Sequence, residues 1–292
     1  MTSAGYAAPQ SLSDAVALLG ANPSARLLAG GTGLLVAPSR AQLTSSMLVD
    51  LRKVPGLSSI ESGAQGLKIG AMTTLRTLAA NDAARSAHPA LAAAVLLTSD
   101  SQTRSRATVG GSIGGRTSGD TDIAALLIAL GASVEITGPG GSRTMPVEDV
   151  MASPLGREDI ITSVTVPPSS ARTATAYETQ RHPATLTPLV GVAASVTLGD
   201  KGAIVAARVG LVGATDNAVR LLKVEQVLQG LSKSVLTGGQ AATDGAIRSA
   251  ASVAGQGLTV RGDLFGSAAY RAHLVAVLTV RAVSRAAKTA AG

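Results

Sequence analysis

This chain of 292 residues has almost nothing aromatic with which to fill an interior: one Phe, three Tyr and no Trp. Apolar residues still make up 46% of it and charged residues 15%, the balance of a globular chain. The core must therefore be built from Ala, Val, Leu and Ile. Side chains that small reach interior packing density only when helices and strands approach closely. The length suffices for two domains, each with its own core.

Zero cysteines exclude disulfides, thiolate zinc sites and iron–sulfur ligation by this chain. His88, His182 and His273 stand apart, without the carboxylate and imidazole neighbours of a metal site, so no metal is expected. The formal charge of +7 is spread along the chain. With no RNP or zinc-finger signature and no stacking aromatics, it reads as a basic surface, and no nucleic-acid partner is expected. No apolar run is long enough to span a membrane, and no secretory signal opens the sequence. A cytoplasmic protein is expected.

Periodicity and punctuation give an α+β order. A helix is predicted over residues 11–19, then strands over 26–29 and 47–51. Short apolar segments at 57–60 and 67–71 read as strands. A helix from Thr73 or Thr74 to about 84 is followed by another over 89–98. Residues 123–130 read as an apolar helix capped by Asp122, 133–137 and 143–147 as a hairpin, and 160–166 as a strand stopped by Pro167-Pro168. The segment up to Ala171 is the natural boundary. Three strands are predicted beyond it (173–179, 189–198, 204–212), then helices over 219–229, 240–254 and 268–287.

Two glycine-rich loops carry the chemistry. The first is Leu28-Ala29-Gly30-Gly31-Thr32-Gly33-Leu34-Leu35, where an apolar strand runs into a stretch nearly free of side chains. The second spans residues 108–119 and begins Thr108-Val109-Gly110-Gly111-Ser112-Ile113-Gly114-Gly115. Neither is the dinucleotide fingerprint or the P-loop. Each alone is as well read as a turn. Together they suit a clamp that holds a diphosphate through main-chain N–H groups, with Thr32 and Ser112 as hydroxyl donors. Asp122 is read either as a helix cap or as an acceptor for a ribose or adenine amino group.

These motifs sit in a chain that resembles, over its whole length, the FAD-binding medium subunits of molybdenum hydroxylases, the xanthine dehydrogenase and carbon monoxide dehydrogenase family. The resemblance rests on Tyr6-Ala7-Ala8-Pro9 with the following helix, Leu28-Ala29-Gly30-Gly31-Thr32, Leu48-Val49-Asp50-Leu51 and Ile69-Gly70-Ala71-Met72-Thr73-Thr74. It is densest at Gln102-Thr103-Arg104-Ser105-Arg106-Ala107-Thr108-Val109-Gly110-Gly111-Ser112, and it closes with Tyr270-Arg271 and Arg281-Ala282-Val283. It implies a PCMH-type FAD-binding domain over residues 1–168, made of two α/β subdomains (about 1–56 and 57–168). A C-terminal domain of the CO dehydrogenase flavoprotein type follows over 172–292, with a three-stranded antiparallel sheet and a helix bundle.

The same resemblance implies FAD on this chain. Its pyrophosphate would be held by N–H groups of Ala29, Gly30, Gly31, Thr32, Gly33 and Leu34 and of Val109, Gly110, Gly111 and Ser112, with Thr108 beside them among the cofactor-binding residues. Asp122 would lie on the adenosine side and Ile161 against the flavin. No residue of the chain would be catalytic. A large partner subunit would carry molybdopterin–molybdenum and a small one two 2Fe–2S clusters, in a dimer of heterotrimers. Electrons would leave FAD to NAD, oxygen, a quinone or another acceptor. The alternatives are a self-contained flavin oxidoreductase and a flavin-less scaffold subunit. Three departures stand out. Thr179 occupies the place of a common Lys, with Arg181 nearby as a substitute. The second loop is one residue longer, so Asp120 competes with Asp122. Ser105 and Ser112 replace frequent Asn.

Overall fold

The computed structural model describes residues 5–35, 47–114, 121–153, 155–231 and 240–291. Three short parallel strands open the chain: β1 (Gly5–Ala7), β2 (Arg26–Leu28) and β3 (Met47–Asp50), in the order β1-β3-β2. Helix α1 (Leu12–Ala21) starts at Ser11, whose hydroxyl accepts from the Asp14 N–H at 3.1 Å, a standard N-cap. Ala15 and Leu19 of this helix bury with Val49, Leu51, Leu57 and Met72 in a small core of their own.

The next sheet holds β4 (Ile60–Gly63), β5 (Gly66–Gly70), β6 (Ser133–Gly138), β7 (Gly141–Pro146) and β8 (Ile160–Val166). Its order is β4-β5-β8-β6-β7, and every neighbouring pair is antiparallel. Between β5 and β6 run α2 (Leu75–Ala80), α3 (Asp82–Ala87), α4 (Pro89–Leu97), α5 (Ser101–Arg106), α6 (Val109–Gly114) and α7 (Asp122–Ala129). Helix α8 (Val147–Ala152) links β7 to β8.

Several expectations change here for local reasons. The helix predicted to about residue 84 is two helices. Asn81 ends α2 and caps α3, its Oδ1 accepting from the Ala84 N–H at 2.9 Å. Residues 57 and 58 form a turn instead of a strand, although the carbonyls of Leu57 and Ser59 accept from the N–H groups of Met72 and Gly70 and so extend the β4–β5 register. The first half of the second glycine loop is the helix α6. Asp122 is the first residue of α7 and not its cap, which is Thr121. Asp120 and the end of that loop lie outside the described residues.

The C-terminal part has four antiparallel strands, where three are expected: β9 (Thr173–Arg181), β10 (Pro188–Leu198), β11 (Ile204–Val212) and β12 (Val219–Arg220), in the order β12-β11-β10-β9. The fourth falls where a helix is predicted from 219. Val219 and Arg220 pair with Leu211 and Gly210. Glu225 fixes this arrangement, accepting from Arg220 and from the Val209 N–H. Helices α9 (Leu222–Leu228), α10 (Gln240–Ala251) and α11 (Ala268–Ala290) complete the chain.

Alternation along β10 sends its side chains to two cores. Val190, Val192, Ala194 and Val196 bury with Leu274, Val275, Leu278 and Ala282 of α11. Ala193 faces the other way and joins Val212, Tyr177 and the apolar residues of α7. All eight residues of α7 are buried, since the helix packs on β10, β11 and β12 of the four-stranded sheet and against α4, α6 and α8. Small residues make the approach possible: a Cβ at Gly210 would lie 2.2 Å from the Ala125 carbonyl oxygen. No described helix is long and apolar enough to cross a membrane.

Candidate cofactor-binding site

The first glycine loop leaves the C-terminal end of β2, beside the C-terminal end of β3, the edge where open parallel sheets hold ligands. Gly31 has φ +77°, and its carbonyl accepts from the Leu35 N–H at 3.0 Å, so the chain curls into a tight turn. The N–H groups of Gly30, Gly31, Thr32, Gly33 and Leu34 donate to no described acceptor. Five successive N–H groups without a described acceptor on a tight turn are the pattern of an anion nest.

The second loop touches the first. A Cβ at Gly30 would lie 1.9 Å from the carbonyl oxygen of Arg106, and one at Gly111 would come within 3.9 Å of the Ala29 methyl. Ile161, on β8, lies at the other end of α6, where a Cβ on Gly114 would be 2.9 Å from its Cδ1. Gly111 thus faces Ala29 towards one end of α6, and Gly114 faces Ile161 at the other. The structure brings the residues of both loops together with Ile161.

The two loops are not equivalent, however. The Val109 and Gly110 N–H groups donate to the carbonyls of Thr73 and Ala71, at 3.0 and 2.8 Å. Those of Gly111 and Ser112 go to the Thr108 hydroxyl and carbonyl, and the Ser112 hydroxyl also donates to that carbonyl, at 2.9 Å. The expectation of N–H donation from Val109 to Ser112 therefore needs amending. Folding α6 onto the end of β5 consumes these donors, and the second loop offers a smooth wall.

Asp50, one residue past Val49 in β3, is buried and pairs in register with Leu28. It accepts from Tyr6 at 2.7 Å and from the Arg52 guanidinium at 2.6 and 2.8 Å. Burial raises its proton affinity, but the Arg52 and Tyr6 hydrogen bonds outweigh that and hold the carboxyl below the usual range. Sequence reading missed this trio, although Leu48-Val49-Asp50-Leu51 marked the place.

Asp122 is only 1% exposed, and its hydrogen bonds all go to this chain. Oδ1 accepts from the Tyr177 hydroxyl and from Arg181 Nη2 (2.5 Å), and Oδ2 accepts from the Thr98 hydroxyl at 3.2 Å. Burial raises its proton affinity, against the opposing pull of Arg181 and Tyr177. Arg181 is thereby engaged, and Thr179 beside it donates to the Val190 carbonyl at 3.2 Å. Among the described residues no cluster of His, Asp or Glu could hold a metal.

Unspent N–H groups at the edge of a parallel sheet, walled by a glycine-faced helix, are the pattern of a site for a phosphate-bearing cofactor. Residues 2–169 match the family of the FAD binding domain in molybdopterin dehydrogenase, and residues 175–286 match the CO dehydrogenase flavoprotein C-terminal domain. The nicotine 6-hydroxylase medium subunit of Paenarthrobacter nicotinovorans is 31% identical over 286 residues, which are 96% of each chain. The solved CO dehydrogenase from Oligotropha carboxidovorans superposes with a TM-score of 0.87 at 29% identity, covering 98% of each chain. Quinoline 2-oxidoreductase from Pseudomonas putida 86 gives 0.86 at 27% identity, covering 99% of this chain and 98% of that one. The chain belongs to the FAD-binding medium subunits of the molybdenum hydroxylase family, and it is an FAD-dependent oxidoreductase subunit. The N–H groups at Gly30 to Leu34, which have no described acceptor, and the glycine face of α6 beside them fit the phosphate part of such a dinucleotide.

Proposed function

We propose that this chain is the electron-transferring flavin subunit of a cytoplasmic heterotrimeric molybdenum hydroxylase, assembled as a dimer of heterotrimers. Electrons would arrive from a 2Fe–2S cluster of the small subunit and leave to an external acceptor such as NAD, oxygen or a quinone. The substrate, an N-heterocycle, aldehyde or CO, would be oxidised at the molybdenum of the large subunit.

The observation that carries the reading is the nest at Gly30 to Leu34, with its five N–H groups that have no described acceptor. These residues, with Ala29 and the Thr32 hydroxyl, bind the pyrophosphate. The face of α6 at Thr108, Val109, Gly110, Gly111 and Ser112 excludes water beside it, and Ile161 packs against the flavin ring. FAD, when bound, supplies the redox chemistry, and the protein supplies placement and solvent exclusion. No nucleophile–base pair is needed, so no catalytic residue is assigned. Co-expression with the genes encoding the partner subunits tests the assembly. A yellow three-subunit complex with iron–sulfur absorbance is the expected product; a colourless chain, or an active flavoprotein that remains alone, would overturn the proposal.

A further inference from the structure

Helix α7 is clasped at both ends by side chains from the C-terminal sheet. At its C-terminal end, Arg208 Nε donates to the Ile128 carbonyl at 3.1 Å, and Arg208 Nη2 donates to Glu148 at 2.5 Å. At its N-terminal end, Tyr177 and Arg181 of β9 grip Asp122. Between the clasps the contact is apolar, so it fixes no register by itself.

The N-terminal clasp is built at the expense of its surroundings. Gly191 lacks the side chain that would collide with Tyr177, since a Cβ there would be 2.1 Å from the phenol oxygen. Arg181 also donates from Nη1 to the Leu186 carbonyl at 2.7 Å, which ties the loop between β9 and β10 to the same carboxylate. On the other side, Thr98 connects Asp122 to the turn before α5. There Arg104 Nη1 donates to the carbonyls of Thr98 and Ser99, and Ser99 holds φ +53°. An unbroken polar chain therefore runs from the segment before the second glycine loop to the C-terminal domain.

We infer that Asp122 is a positioning residue that latches the C-terminal domain to the flavin domain through Tyr177 and Arg181. This rests on the FAD-subunit reading for one of its two measurements only. Three protein donors from two segments surround this buried carboxylate. The ion pair sits where burial makes the loss of one partner costly.

The test uses the full-length, FAD-loaded chain and the variants Tyr177→Phe, Asp122→Asn and Thr98→Val. Hydrogen–deuterium exchange over residues 122–129 reports opening of the latch with or without FAD. Iodide quenching of flavin fluorescence and the FAD-to-protein ratio report on the cofactor. Tyr177→Phe, which removes one oxygen, is expected to raise exchange in α7 about tenfold, as loss of a charge-assisted hydrogen bond implies. Quenching should rise by a similar factor while FAD stays stoichiometric. Asp122→Asn should do the same more strongly. If it cannot be obtained folded, Tyr177→Phe and Thr98→Val decide. Loss of FAD in Asp122→Asn with wild-type exchange in Tyr177→Phe would overturn the inference, as would unchanged exchange in all variants. A wild-type chain that never holds FAD defeats the functional proposal and leaves the exchange test intact.

Discussion

Gly30→Ala isolates the meeting of the first glycine loop with the end of α5, where the chain leads into the second loop. The added Cβ would lie 1.9 Å from the Arg106 carbonyl oxygen, 2.7 Å from its carbon and 3.1 Å from the Ala107 Cα. All three are backbone atoms, so no rotamer change relieves the clash. Real Cβ contacts essentially never fall below 3.0 Å, so the two segments must part by about 1.1 Å. Overpacking of this kind costs about 1–3 kcal/mol of stability. The effect on the cofactor is larger. Displacing the nest by an ångström spoils at least two charge-assisted N–H bonds to phosphate, worth about 3 kcal/mol together and hence roughly a hundredfold in affinity. The assay is the FAD-to-protein ratio after gel filtration, from visible absorbance, with a thermal melt of the same sample. Gly140→Ala is the control, since nothing lies within 4 Å of its Cβ position. Stoichiometric FAD with an unchanged melt in Gly30→Ala would refute the idea that the first loop must sit against the end of α5 to form the nest.

Three further outcomes are expected. Gly31→Val, at φ +77° and 3.0 Å from the Leu35 side chain, should abolish flavin retention while a co-purified large subunit still binds its substrate; equilibrium dialysis of both ligands checks it. Asp159 has its proton affinity lowered by two hydrogen bonds from Arg143 and one from the Gly156 N–H. Its stabilisation is therefore present at neutral pH and lost as the pH falls below about 4, through the folded-state value. Because Arg143 is half exposed, the amount is below about 1 kcal/mol; Asp159→Asn should flatten the acid limb of a melting-temperature profile by that much. Leu127→Ala, in the fully buried α7, should cost about 2–5 kcal/mol in urea unfolding, and a smaller loss would mean that the site collapses around the gap.

Most strands of the sheets were readable because their apolar runs are long. Residues 160–166 and 204–212 were placed as observed, and the run at 189–198 within one residue. Strand β12 escaped because two residues cannot announce a period, and its pairing depends on Glu225, whose side chain is set by tertiary contacts. Asn81 hides a helix break, since one residue serves as end and start. At the site, the glycine loops were visible as motifs. The engagement of Val109 and Gly110 was not, because the carbonyls that take their protons belong to the end of a distant strand. Asp122 was singled out, but its partners Tyr177 and Arg181 lie 55 and 59 residues further on, beyond the reach of local spacing.

The pair of prolines at 167–168 ends one family match, and the next begins at residue 175. Packing ignores that seam. Tyr177, Ala193, Val212 and Ala218 belong to the core that α7 dominates, although they come after it in the sequence. A ribosome that has released only the first segment has made a helix with half its covering still to come. The first segment made alone should be poorly soluble, and it should become soluble when the second is supplied on a separate chain. Exchanging the C-terminal segment between relatives then requires matching the face that meets α7, however cleanly the gene is cut.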